Sequence, residues 1–183
     1  NQDDGALVNE LSINLLDPED TIGFLDQLRI SASGFGGSPS GHFRLSSDLA
    51  DIYRLRITLR HHEHFSALPG WAQSGGDVGS GAGLHGWDRD RRLFDLDLEV
   101  MPGRAITPII GYSHHRIEGP RTTTTHIGQD EFRLRTELEE SEQELRLGVG
   151  FHSGGWHGTV IQGWREFESD EHASLDRNAG GGL

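Results

Sequence analysis

Hydrophobic and polar positions alternate most regularly through Ile52–Phe65. The odd positions as far as Leu59 are apolar. The even positions of this stretch are polar or basic, namely Arg54, Arg56, Thr58, Arg60, His62 and His64. Successive side chains of a strand point to opposite faces, so the pattern predicts a strand with one apolar face and one charged face. Three arginines on one face do not suit the core of a sandwich, and we expect that face to meet water.

Six further segments show the same period of two, with turn-forming residues between them. They are Leu7–Leu15, Phe24–Ser33, His42–Ser46, Arg92–Val100, Ala105–Arg116 and Trp156–Phe167. Short connections between consecutive segments favour antiparallel neighbours. In Met101–Arg104, for example, Pro and Gly stand in the order that a type II turn requires. The residues at about 66–91 and 117–129 lack the pattern, and we expect them to form long loops.

The segment Asp130–Phe151 predicts a hairpin, because apolar residues alternate on both sides of Glu140–Gln143. A two-residue loop would set Glu137 directly opposite Glu144. Like charges in that position destabilise a sheet. A four-residue loop at Glu140–Gln143 would instead pair Glu137 with Arg146, and we predict this register.

The facing of the last segment stays open at this point. Trp156, Val160 and Trp164 share one side, whereas Ile161 and Phe167 share the other. Both sides therefore carry large apolar residues, and the period alone does not select one of them.

Composition narrows the class of protein. Only 33% of the 183 residues are hydrophobic, which is expected when half of every strand faces water inside a barrel. All 16 basic residues are arginine and the net charge is −13, so the overall field argues against nucleic acid as a partner. The chain has no cysteine, which excludes disulfides and thiolate metal sites.

Together these segments predict an all-β fold, an antiparallel up-and-down (meander) sheet of about nine strands that forms part of a transmembrane β-barrel. We expect a single barrel domain over residues 1–183. Single-chain bacterial barrels usually have an even number of strands. Nine strands, and a chain that starts at Asn1, therefore suggest an incomplete piece of a larger barrel.

Three segments carry a resemblance to a known kind of protein. They are Phe94–Pro108, Gly128–Arg135 and Gly158–Phe167. In their style of strand and turn they resemble segments of bacterial outer-membrane β-barrels, nearest to uncharacterised porin-like barrels and more distantly to the barrels that sheathe multihaem cytochromes. The resemblance implies a bacterial outer-membrane location, with outer-membrane lipid around the barrel and a periplasmic or surface protein as a further possible partner. It implies no substrate.

The alternation assigns candidate residues to two environments. The expected lumen-lining residues are polar or charged: Arg54, Arg56, Arg60, His62, His64, Asp95, Asp97, Glu99, Arg133, Arg135, Glu137 and Arg146. The expected lipid-facing residues are apolar: Leu55, Ile57, Leu59, Leu96, Leu98 and Leu134. The charged set would act either as a constriction that sorts solutes by sign or as a ladder of cross-strand ion pairs that holds the strands in register. Tyr53, Phe65, Tyr112, Trp156 and Trp164 would form aromatic girdles at the two membrane interfaces.

The sequence gives little support to a metal site or a catalytic site. His62 and His64 share a strand face and could bind a metal with a third ligand from a neighbour such as His114 or His115. We prefer an interfacial polar cluster and expect no metal and no cofactor. No spacing indicates a catalytic site, and we expect a protein that is not an enzyme.

The resulting hypothesis is an outer-membrane β-barrel of the cell envelope that serves as a passive, porin-like channel for transport or as a sheath for a partner. The alternative is a soluble, secreted β-sandwich that binds a ligand or glycan through its loops. The two differ in whether the apolar face points outward to lipid or inward to a core.

Overall fold

A computed structural model of the chain describes residues 8–17, 23–35, 38–69, 82–127 and 130–175; the side chains of 67–69, 82–85, 124, 126–127, 130–133 and 175 are outside the description. Strands account for nearly all of these residues. Their bounds are β1 (Leu11–Leu16), β2 (Gln27–Ser33), β3 (Ser40–Leu49), β4 (Tyr53–His64), β5 (Ala67–Pro69), β6 (Ala82–Trp87), β7 (Arg89–Val100), β8 (Ile106–Ile127), β9 (Asp130–Ser153) and β10 (Trp156–Leu175). Within the described ranges no helix is long and apolar enough to cross a membrane.

The described strands form one sheet whose order follows the chain. The order is β1-β2-β3-β4-β7-β8, with β9 beside β8 and β10 beside β9. The two short strands continue their neighbours, since β5 follows β4 and β6 precedes β7, and β6 pairs antiparallel with both β5 and β8. The predicted all-β antiparallel meander is confirmed. Among the described residues the sheet is not closed, because β1 pairs only with β2 and β10 only with β9.

The register of β1–β4 aligns residues of like character across the sheet. One apolar row consists of Ile13, Ile30, Leu45 and Ile57. The polar row beside it, which points to the other face, consists of Asn14, Arg29, Ser46 and Arg56. A shift of one residue in any strand would move apolar side chains to the charged face, so the sequence pattern strongly specifies this register.

Two turns form as their residues require. At Met101–Arg104 the amide of Arg104 donates to the carbonyl oxygen of Met101 at 3.3 Å. Gly103 has φ +84°, which confirms the predicted type II geometry. Between β9 and β10, Gly154 and Gly155 have φ +57° and +83°, as a two-residue type I′ turn needs.

The predicted hairpin at Glu140–Gln143 is wrong. Residues Asp130–Ser153 form one continuous strand, β9, so Glu137 and Arg146 lie on the same strand and not on paired strands. The apolar positions do change phase near Glu140, but β8 and β10 flank the strand on both sides and keep it extended through that change.

Two further boundaries need correction. The second long loop is wrong as far as residue 127, because β8 runs through Ile117–Ile127, while residues 128–129 lie outside the description. The last strand also continues beyond Phe167 to Leu175. In the first predicted loop, β5 and β6 occupy part of 66–91, and 70–81 lie outside the description.

Contacts divide the chain into two compact units. Unit 1 holds the described residues of 1–62, 92–115 and 142–167, and unit 2 holds those of 63–91, 116–141 and 168–183. The long strands β8, β9 and β10 contribute to both units. The expectation of a single domain over 1–183, cut from a larger barrel, stays a prediction.

Candidate functional site: a charged face opposite an uncovered apolar face

Unit 1 has almost no hydrophobic core. Among the described residues only Leu25 and Ala32 are buried hydrophobic residues. Large apolar side chains of β9 remain half exposed, with Leu145 at 44% and Leu147 at 43%. No second layer of described structure covers the apolar rows, although a soluble sheet would bury such a face.

The small polar residues are buried instead. Ser47, Thr58 and Ser113 expose 7%, 7% and 5% of their surfaces, and Thr136 of unit 2 exposes 4%. Longer side chains surround these short ones: Thr58 lies opposite Arg44, and Ser47 lies in an apolar row between Leu28 and Leu55. The distribution of exposed apolar and buried polar residues is the reverse of that in a soluble domain.

Glycine contacts establish the facing of β10, which the sequence left open. A Cβ on Gly158 would collide with the ring of Phe151, so the aromatic ring of β9 lies over this glycine on the apolar face. On the other face, a Cβ on Gly163 would come within 2.8 Å of a carboxylate oxygen of Glu144. Trp156, Val160 and Trp164 have the same parity as Gly158 and therefore belong to the apolar face; Ile161, Arg165 and Phe167 belong to the charged face.

Arg146 is the centre of the charged face. Its guanidinium donates to Asp97 at 3.2 Å and lies 3.9 Å from Glu144. The side chain crosses β8 at Gly111, where a Cβ would come within 2.6 Å of Nε of Arg146. Glycine at this position gives the arginine access to carboxylates on both of its sides.

Further ion pairs extend this network across β4, β7, β9 and β10. Arg54 of β4 donates to Glu99 of β7 at 3.0 Å. Arg165 of β10 pairs with Glu142 at 3.0 Å and with Glu144 at 3.4 Å.

Asp95 of β7 is held by two residues of β8. The hydroxyl of Ser113 donates to its carboxylate at 2.9 Å, and Nε2 of His115 lies 3.9 Å away. The predicted residues Arg54, Asp95, Asp97, Glu99 and Arg146 therefore share one face of unit 1. Two of the pairs, Arg54–Glu99 and Arg146–Asp97, join different strands; whether the face is a ladder of ion pairs or a constriction stays a prediction.

Arg56, Arg60 and His62 of β4, which were also predicted to line the lumen, lie on the same face and form no ion pair with a carboxylate of the described residues. Arg56, Arg60 and His62 have the parity of Arg54 and are exposed. On the β3 side, the cross-strand partners of Arg56 and Arg60 are Ser46 and His42. This part of the face is basic, in contrast to the paired charges of β7–β10.

The other predicted site residues belong to unit 2. Arg135 and Glu137 form a pair along β9 at 3.7 Å, and both are exposed. His64 is exposed at the end of β4, and Leu134 is partly buried in β9. The side chain of Arg133 lies outside the described residues.

The predicted lipid-facing residues of unit 1 lie on the apolar face. Leu55, Ile57 and Leu59 alternate with the arginines of β4, and Leu96 and Leu98 alternate with the carboxylates of β7. All are partly exposed except Leu59, which is exposed at 39%. Their contact with lipid stays a prediction.

Aromatic residues occur on the same apolar face. The rings of Phe94 and Tyr112 lie 6.0 Å apart, within the range for an aromatic pair. Trp156 begins β10 and is 79% exposed, and Phe65 follows β4 directly at 68%. Tyr53 begins β4, where its hydroxyl donates to the carbonyl oxygen of Phe24 at 2.9 Å. The girdle assignment stays a prediction.

The described histidines do not gather with other metal-binding side chains. No group of three or more His, Cys, Asp or Glu side chains in the described part of the chain could hold a metal ion. His115 contacts Asp95, and the rings of His152 and His157 stack at 6.5 Å beside the β9–β10 turn.

Several residues of the charged face were not predicted from the sequence. They are Gly111 and Gly163, for which the sequence indicated no role, and Arg165, which was not assigned to a face. The available signal is a glycine at a charged-face position on a strand next to one rich in carboxylates, but this signal becomes informative only when the strand order is known.

Comparison with known proteins identifies no relative of this chain. No protein-family description, no curated protein and no solved structure matches this chain.

Proposed function

We propose that unit 1 is part of the wall of an outer-membrane β-barrel, with its apolar face against lipid and its charged face on a water-filled lumen. The barrel acts as a passive, porin-like channel or as a sheath for a partner. One observation carries the proposal: a single antiparallel sheet leaves its apolar rows uncovered and organises its charges into a network on the opposite face.

The dimensions of the strands support this environment. β4 has 12 residues, which at about 3.3 Å each extend about 40 Å. A tilt of about 45° reduces the height to about 28 Å, close to the thickness of the hydrocarbon layer. Because a β-strand in lipid must pair all its backbone groups, the two edge strands would be completed by closure with further strands or with another chain.

The composition of unit 2 assigns it to water. Its part of β10 carries charges at both parities, including Glu168, Asp170 and Glu171, so neither face suits lipid. Arg116 forms ion pairs with Glu118 at 2.9 Å and with Glu139 at 2.7 Å. At 24 residues, β9 is also much longer than a crossing of about 9–11 residues requires. We therefore propose that unit 2 is exposed to water.

Membrane fractionation and gel mobility test the proposal. The protein should fractionate with the outer membrane, and its mobility should change on boiling, because a closed barrel resists unfolding by detergent at room temperature. Conductance in planar bilayers would then separate an open channel from a sheath.

Soluble protein with the same mobility before and after boiling would contradict the barrel. The soluble sandwich would then be the better hypothesis, with a partner or a second copy covering the apolar rows.

A further inference from the structure

Four arginines of β2–β4 form a cluster on the charged face, here called the arginine cluster: Arg29, Arg44, Arg56 and Arg60. Arg44 is at its centre. Its direct cross-strand partners are Ser31 and Thr58, so the other three arginines all stand diagonal to it. Diagonal neighbours in an antiparallel sheet are about 7–8 Å apart, which long side chains can bridge.

The cluster has no internal neutralisation. All four side chains are exposed, and none forms an ion pair with a carboxylate within the described ranges. Carboxylates border the cluster without pairing with it. Asp48 lies opposite Arg54, and Asp95 and Asp97 lie on β7 next to β4, where they contact Ser113 and Arg146 instead. Arg54 itself already donates to Glu99.

The arginine cluster destabilises the sheet, because neighbouring like charges repel. On β9 and β10 the same face of unit 1 pairs Arg146 and Arg165 with carboxylates. A local departure of this kind from the rule followed elsewhere is typical of a functional site. Ser31 and Ser46, which lie between the arginines, are small, hydroxylated and partly exposed, so they leave room and can donate hydrogen bonds to a ligand.

We propose that the arginine cluster binds small oxyanions of the phosphate class and gives the lumen a preference for such solutes. Guanidinium groups match the geometry of phosphate oxygens through paired hydrogen bonds. Because the cluster faces away from the apolar rows, a dissolved anion is its ligand and not the headgroup of a surrounding lipid. The inference rests on the proposed function, since only a lumen brings solutes past this face.

Calorimetric titration of the whole protein in nonionic detergent with inorganic phosphate, at low ionic strength, tests the site. Arg44→Gln should weaken phosphate binding by about tenfold, because it removes a charge-assisted hydrogen bond. Arg104→Gln is the matched control: it removes the same charge from the exposed β7–β8 turn and should leave binding unchanged. Arg44→Gln should still fold, since it relieves repulsion.

Reversal potentials in a KCl gradient across a planar bilayer separate the two proposals. Phosphate binding that depends on Arg44, without conductance, would support the site and contradict the channel. Conductance with no phosphate binding, or with equal binding by both variants, would overturn the inference and leave the channel intact. If both the channel and the phosphate site exist, the pore should prefer anions. Arg44→Gln should reduce this preference, and Arg104→Gln should not.

Discussion

Replacing Gly111 by alanine tests whether Arg146 organises the charged face. A Cβ at position 111 would come within 2.6 Å of Nε, 3.0 Å of a terminal guanidinium nitrogen and 3.3 Å of Cβ of Arg146. The last of these atoms is next to the backbone and cannot swing away. The arginine would therefore have to leave its position and lose its contact with Asp97.

The expected magnitude follows from three contributions. Overpacking costs about 1–3 kcal/mol, and loss of a partly exposed ion pair costs about 0.2–1 kcal/mol. In the opposite direction, alanine in a strand raises the free energy of unfolding by about 0.5–1 kcal/mol relative to glycine. We expect Gly111→Ala to lower the free energy of unfolding by about 1–2 kcal/mol.

Gly150→Ala is the matched control, because the nearest atoms to its Cβ belong to Thr107 at 3.6 Å, an ordinary contact. It should raise the free energy of unfolding by about 0.5–1 kcal/mol. Reversible unfolding in urea, followed by the fluorescence of the four tryptophans, measures both variants, and comparison of m-values checks that compactness is unchanged. If Gly111→Ala proved as stable as Gly150→Ala, the position assigned to Arg146 would be refuted. In an Arg146→Ala background the penalty at Gly111 should largely disappear.

Three other predictions follow from the two faces and the turn. Ile57→Arg places a charge in an apolar row and should cost about 2–4 kcal/mol in lipid vesicles, as judged by urea unfolding; a tolerated arginine would contradict contact of this face with lipid. A double-mutant cycle on Arg54 and Glu99, whose side chains are 52% and 38% exposed, should give a coupling of about 0.2–1 kcal/mol that weakens at high salt. A coupling independent of salt would argue against a wet face. Gly155→Ala forces a Cβ into a backbone with φ +83° and should cost about 1–2 kcal/mol, whereas no loss in thermal unfolding would exclude the type I′ turn.

The sequence alone determined the class of fold and the two faces of most strands. A period of two is the only regular pattern compatible with Tyr53–Leu59, and side-chain alternation then places arginines and leucines on opposite faces whatever the neighbours are. The turn at Met101–Arg104 was equally local, because a positive φ angle selects glycine at its third position. Since β4 pairs with β7, the pairing of Arg54 with Glu99 followed from alternation together with strand order.

Tertiary structure decided what depends on partners distant in the chain. The change of phase near Glu140 is compatible with a turn or with a continued strand, and only pairing with β8 and β10 made it a strand. The facing of β10 depended on the ring of Phe151 over Gly158. Arg146 met Asp97, 49 residues away in sequence, because β8 brings a glycine between them. Periodicity reports the environment of each side chain but not the identity of its neighbours, which the register of non-local strands determines.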